Sequence, residues 1–125
     1  MDQAQSPIFT KSYDLLVWLL KSTEKFPKNE RFRLARRLED SAFAFYELLM
    51  QAVHTPNTRT NLLQADLELE KLRLYLRLCQ ARELMSKDQY QYAARVSVEI
   101  GKLLGGWLKK VGNGLPRHSM LMDTI

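Results

Sequence analysis

Between Asn61 and Met85 the chain holds no glycine or proline, and it repeats leucine at three- and four-residue spacing twice over. At about 100° per residue of an α-helix, Leu62, Ala65, Leu69, Leu72, Leu76 and Cys79 share one face. Leu63, Leu67, Leu74 and Leu78 share another, roughly opposite the first. Asp66, Glu70, Arg73 and Arg77 line one seam between the faces, and Gln64, Glu68, Lys71 and Tyr75 line the other. A surface helix of a monomeric bundle needs one apolar stripe, so two opposed stripes ask for two partners. The rest of the chain is one. The second is either another copy of the chain or, if this helix is central, further elements of the same chain. Four-helix bundles rarely surround one of their own helices, and an exposed leucine row of this length invites aggregation. The pattern therefore favours self-association, with Leu63, Leu67, Leu74 and Leu78 as its interface.

Three more segments show helical periodicity. The first runs from about Ile8 to Thr23, with Phe9, Tyr13, Leu16 and Leu20 as its expected inward stripe. Pro27 interrupts, because proline lacks the donor N–H and disfavours helix at the residue before it. The second runs from about Lys28 to Val53 on Ala35, Leu38, Ala42, Phe45, Leu49 and Ala52. His54-Thr55-Pro56-Asn57-Thr58 is a turn-rich break before the leucine helix. Ser86 with Gln89 three residues later is a capping-box signal for the last helix, expected to run to about Val111. Its stripe is Tyr90, Ala93, Ile100, Leu104, Trp107 and Val111; Gly101 and Gly105, a turn apart beside it, suggest close backbone approach. Glycine inside a helix costs about 1 kcal/mol against alanine, so such a pair needs a reason. Gly112-Asn113-Gly114 and Pro116 are expected to end this helix. The expectation is one all-α domain over 1–112 and a flexible tail over 113–125. Short connections between long helices make it an antiparallel up-down-up-down four-helix bundle.

A length of 125 residues leaves room for one core. The lone Cys79 excludes an internal disulfide framework or a cysteine zinc cluster and suits a reducing cytoplasm. No apolar run is long enough to span a membrane, and Met1 to Thr10 carries no export-signal pattern. The two histidines, His54 and His118, fall in a loop and the tail, away from any carboxylate pairing of the kind that builds metal sites in bundles. Glu39-Asp40 and Glu68/Glu70 read as solvated acids. No phosphate loop, nucleophile elbow or zinc-ligand pair is present. The expectation is a binding or scaffolding module with neither catalysis nor cofactor. Net charge is +5, and Lys21, Lys25, Lys28, Arg31, Arg33, Arg36 and Arg37 crowd one short stretch. Such a cluster is either a solvated helix face or a polyanion contact.

Two segments are distinctive: Leu63-Gln64-Ala65-Asp66 through Leu72-Arg73-Leu74-Tyr75-Leu76-Arg77-Leu78, and Glu99-Ile100-Gly101-Lys102-Leu103-Leu104-Gly105-Gly106-Trp107-Leu108. Together they resemble the accessory variability determinant (Avd) family of diversity-generating retroelements. That likeness covers residues 60–112 well and the first two helices by pattern alone. Phe26-Pro27-Lys28 also looks like the related four-helix proteins of intervening sequences in bacterial 23S ribosomal RNA genes. The resemblance to Avd implies a barrel-like homo-oligomer, a pentamer, of four-helix bundles. It implies binding of RNA or DNA and of the element's reverse transcriptase, in support of mutagenic copying. By motif position it makes Arg73, Arg77 and Lys102 candidate contacts, with Lys109 and Lys110 nearby. Arg73 and Arg77 lie one helical turn apart and suit a phosphate backbone or an acidic surface. Their other reading is ion pairing, for instance Glu70 with Arg73. Arg33, Arg36 and Arg37 are candidates on charge alone. The alternative function is a structural, oligomeric module of the intervening-sequence type.

Overall fold

The computed structural model describes residues 6–112; the expected tail, with His118, lies outside them. Four α-helices follow in order: α1 (Pro7–Thr23), α2 (Arg36–His54), α3 (Thr58–Ala81) and α4 (Lys87–Gly112). A 3₁₀ turn, Lys28–Glu30, and a π turn, Arg31–Ala35, lead into α2. The fold is all-α with four helices. Pairs of touching residues show the sense of each packing. Phe9 meets Trp107 and Trp18 meets Tyr92 between α1 and α4, while Thr23 meets Glu39 and Tyr13 meets Tyr46 between α1 and α2. Thr58 reaches Ala52, and Arg37 lies over Tyr75, between α2 and α3. In each case numbers rise on one helix as they fall on the other, so neighbours are antiparallel. Helices α1 and α3 each pack on both α2 and α4, which places them at opposite corners.

The core is the stripe that each helix turns inward. On α2 and α3 it consists of the residues that periodicity predicts, Ala35 through Ala52 and Leu62 through Cys79, all buried. Helix α1 differs. Its buried residues are Ile8, Phe9, Ser12, Leu15, Leu19 and Thr23, while Tyr13 and Leu20 of the expected stripe are exposed and Leu16 is half-buried. The stripe is rotated because α1 carries apolar residues nearly all round, and contact with α2 and α4 selects Leu15 and Leu19 over their neighbours. On α4, Ala93, Ile100 and Leu104 are buried as expected with Val96 and Ser97, and Tyr90, Trp107 and Val111 close the edges. The glycines do not mark a close helix approach. A methyl group at Gly101 would meet Leu69 at an ordinary 3.6 Å, and one at Gly105 would meet nothing within 4 Å.

The boundaries are set by local polar bonds. Ser86 and Gln89 form the reciprocal capping box: the Gln89 N–H donates to Ser86 Oγ at 3.1 Å, and the Ser86 N–H donates to Gln89 Oε1 at 2.9 Å. Buried Asn61 donates to Thr55 Oγ1 and Asn57 O, both at 3.0 Å, and so fastens the short α2–α3 link to the start of α3. Helix α3 stops at Ala81, short of the expected Met85, because Glu83 turns left-handed (φ 61°) and the Leu84 N–H bonds back to Cys79 O at 2.8 Å. Met85 is still buried, from the loop. Helix α2 begins later than the expected Lys28, after the 3₁₀ and π turns. Those turns carry Glu30, only 2% exposed, to the end of α3, where Arg82 Nε and Nη2 lie 2.8 and 2.7 Å from its Oε2. Arg33 Nε stands 3.7 Å from the other oxygen.

A buried carboxylate that loses its partner costs more than the pair contributes. Arg82→Met alone is expected to destabilise the fold by about 2 kcal/mol, below the full buried-pair figure because Arg33 remains and Arg82 is half-exposed. Glu30→Met with Arg82→Met should recover most of that loss, as read by urea unfolding.

Candidate functional site

Three surfaces hold the candidate residues. The first is the outer row of α3. Its inner leucines are dry, yet Leu63, Leu67, Leu74 and Leu78 remain between 38% and 60% exposed. Among the described residues nothing covers the row fully, and the charged residues Glu70 and Lys71 occupy the turn between Leu67 and Leu74. Paired ions flank it: Lys71 Nζ lies 3.1 Å from Glu68 Oε2 on one side, and Arg73 Nη1 lies 3.4 Å from Glu70 Oε1 on the other. A further apolar row runs along α1, where Tyr13, Val17 and Leu20 are exposed at helical spacing. Because α1 and α3 occupy opposite corners, these two rows face away from each other across the bundle.

The second surface joins the start of α2 to the end of α3. Arg33 and Arg36 are exposed, with only loose pairing to Glu30 at 3.7 Å and to Asp40 at 3.8 Å. The Arg37 guanidinium sits 6.0 Å from the Tyr75 ring centre, a cation–π contact that ties it to α3. Arg73 and Arg77 lie on the other seam of α3, around a small hollow shared with Tyr90, Ala94, Ser97 and Val98 of α4. Glu70 thus occupies Arg73 in part, the ion-pair reading that the spacing allowed. Asp66, one turn before Glu70, has its carboxyl held above the ordinary range by burial and by Glu70, with Arg73 opposing.

The third surface lies at the other end. Lys102 and Lys110 border a cleft of about 670 Å³ whose wall includes Phe9, Val53, Leu103 and Trp107. Phe9 packs edge-on against Tyr46, with centroids 5.6 Å apart, and tilts against Trp107 at 6.4 Å. Lys109 is exposed beside it. The structure therefore splits the basic candidates. Arg33, Arg36, Arg37, Arg73 and Arg77 gather toward the α2-start, α3-end half, and Lys102, Lys109 and Lys110 stand toward the opposite end.

Periodicity passed over one exposed group. Phe32, in the π turn, is 77% exposed among arginines. The available signal was its phase: it is a large aromatic out of step with Ala35 and Leu38 in a stretch otherwise read for charge. Among the described residues no cluster of three or more His, Cys, Asp or Glu could hold a metal ion, and no helix is long and apolar enough to cross a membrane. Burial, with the Glu30 carboxylate adding to it, pushes the Cys79 thiol up to about 12. Native protein at pH 8 should thus resist alkylating agents, while urea-unfolded protein reacts at the rate of a free thiol, as mass spectrometry would record.

The fold is an antiparallel bundle of four helices carrying two outward apolar rows and a basic half. A family model described as bAvd-like matches residues 7–111, and the chain belongs to that family. No curated protein matches the chain. Among solved structures it is similar to a protein of unknown function from the S23 ribosomal protein family of Bacteroides thetaiotaomicron. The TM-score is 0.74 at 23% identity, covering 82% of this chain and 98% of that one. At that identity the likeness establishes the fold.

Proposed function

We propose that this chain is a non-enzymatic accessory protein of a diversity-generating retroelement, acting in the cytoplasm. It assembles into a barrel-like homo-oligomer and binds nucleic acid and the element's reverse transcriptase during mutagenic copying. Family membership sets the context. The observation that carries the reading is the outer leucine row of α3, an apolar strip that the described residues leave 38% to 60% exposed. Covering a half-exposed leucine stabilises by about 1 kcal/mol, so four on one helix contribute on the order of 4 kcal/mol. Association costs at least about that much, so the row needs a matching apolar surface on its neighbour.

Tyr13, Val17 and Leu20 on α1 supply such a surface. Two unlike patches on opposite sides of a subunit support head-to-tail contact, the kind that closes into a ring when the rotation allows. The domain for this role is the bundle of 1–112, and the polyanion contacts are Arg73 and Arg77 with Arg33, Arg36 and Arg37. Lys102, Lys109 and Lys110, at the far end, serve as a separate partner contact. The intervening-sequence alternative, a structural module without a retroelement role, shares the fold and the oligomer but not the transcriptase. Co-purification with a reverse transcriptase encoded beside this chain separates the two readings.

Head-to-tail assembly has a diagnostic mixing test. Leu67→Glu with Leu74→Glu spoils one face and Val17→Glu spoils the other, so each variant alone should sediment as a monomer. Mixed, they retain one good pair of faces and should form a one-to-one dimer. A two-fold interface built from α3 alone would instead leave Val17→Glu dimeric by itself, and mixing would yield no one-to-one dimer of the two variants.

For nucleic acid, Arg77→Ala should weaken binding more than Arg73→Ala, since Glu70 already holds Arg73. Losing one phosphate contact reduces the slope of log K against log salt by about 0.7 to 0.9. Titrations at several salt concentrations measure this. If Arg73→Ala with Arg77→Ala leaves both nucleic-acid and transcriptase binding intact, the assignment of these arginines is wrong.

A further inference from the structure

We infer that Phe32 is a stacking platform for an unpaired nucleobase, so that the tip before α2 reads single strands rather than duplex. The inference rests on the nucleic-acid reading above and assigns it a residue that charge does not reveal. A phenylalanine side chain left 77% exposed forgoes most of the stabilisation that burial would give it. Phe32 also sits in a π turn, a wider turn frequent at functional sites.

Its surroundings specify the ligand. Phe32 borders a hollow of about 440 Å³ together with Thr23, Glu24, Arg31, Ala35 and Glu39. The two carboxylates disfavour a phosphate inside the hollow and admit a neutral or cationic group, and Phe32 on its border offers that group an aromatic face. Glu39 Oε2 accepts the Thr23 hydroxyl at 2.6 Å, and its Oε1 is left to accept an N–H from the edge of a base. Arg31 at the border of the hollow, and Arg33 and Arg36 nearby in sequence, are exposed and would meet the flanking phosphates. An aromatic face with cations on its rim is the arrangement that holds single-stranded nucleic acid, because every base has a π-face and only unpaired bases can offer it. A protein partner would find the same phenylalanine, but the carboxylate-lined hollow and loosely paired arginines match a nucleotide's separation of neutral base from charged backbone.

The test uses the full chain with fluorescein-labelled oligo(dA), as a single strand and as its duplex with oligo(dT), read by anisotropy. Phe32→Ala should raise the single-strand Kd by about 5- to 150-fold, the range that loss of one base–aromatic stack spans, and leave the duplex Kd nearly unchanged. Phe32→Tyr should bind like the parent chain. If Phe32→Ala binds the single strand within about twofold of the parent, with the charged contacts still functioning, the stacking role is overturned. If the loss is equal for single strand and duplex, it is also overturned. If Phe32→Ala instead dissociates the oligomer in sedimentation, the residue is an interface group and the inference fails. Should the parent chain bind neither strand form, the nucleic-acid reading itself falls, an outcome distinct from the others.

Discussion

Everything in this molecule is arranged around α3, which must satisfy water and hydrocarbon demands on both of its sides at once. Its inner face supplies Leu62, Leu69, Leu72 and Leu76 to the centre of the bundle, each essentially dry, and both of its flanks meet neighbouring helices. Tyr75 turns to α2, where Arg37 covers it, and Arg73 and Arg77 turn to α4. With both flanks committed to neighbours, the remaining arc has only one direction left. That arc is leucine. A helix with polar residues there would turn only charge to the outside; this one turns leucine outward as well.

How much of this was legible depends on how many ways a residue can be satisfied. On α2 the helical phase identifies the buried set from Leu38 to Ala52, and on α3 it separates two leucine faces of which the one from Leu62 to Cys79 is buried. Helix α1 offered no such contrast. Leu15, Leu16, Val17, Leu19 and Leu20 surround its axis, and only the positions of its neighbours decide which of them go inward. The end of α3 was misread for another reason: Glu83 adopts the left-handed conformation without being glycine or asparagine, in a loop that Arg82 ties to a buried Glu30 far away in sequence. Long-range ion pairs leave no periodic trace. Gly105 is the converse case, a small residue whose space is open on this chain.

The candidate site was legible in kind and illegible in arrangement. Basic residues were evident from composition, but counting charges treats Arg37 and Lys110 as equivalents. In the fold one is stacked on a tyrosine near the end of α3, and the other edges an apolar cleft by the start of α1. Nor does counting register an aromatic among cations as anything but a misplaced core residue. Phe32 acquires meaning only when the π turn is seen to hold it outward beside Glu39 and Arg31.

An even number of antiparallel helices also gives the bundle a direction. The beginning of α1 and the end of α4 emerge together, next to the Trp107 cleft, while the Phe32 tip projects from the far end. Subunits standing side by side with the same orientation would present two unlike rims. One rim would be a crown of arginines and phenylalanines multiplied by the number of copies, and the other would gather the starts of α1 and the ends of α4. Weak contacts at a single tip would then act in concert along one strand threaded past successive subunits.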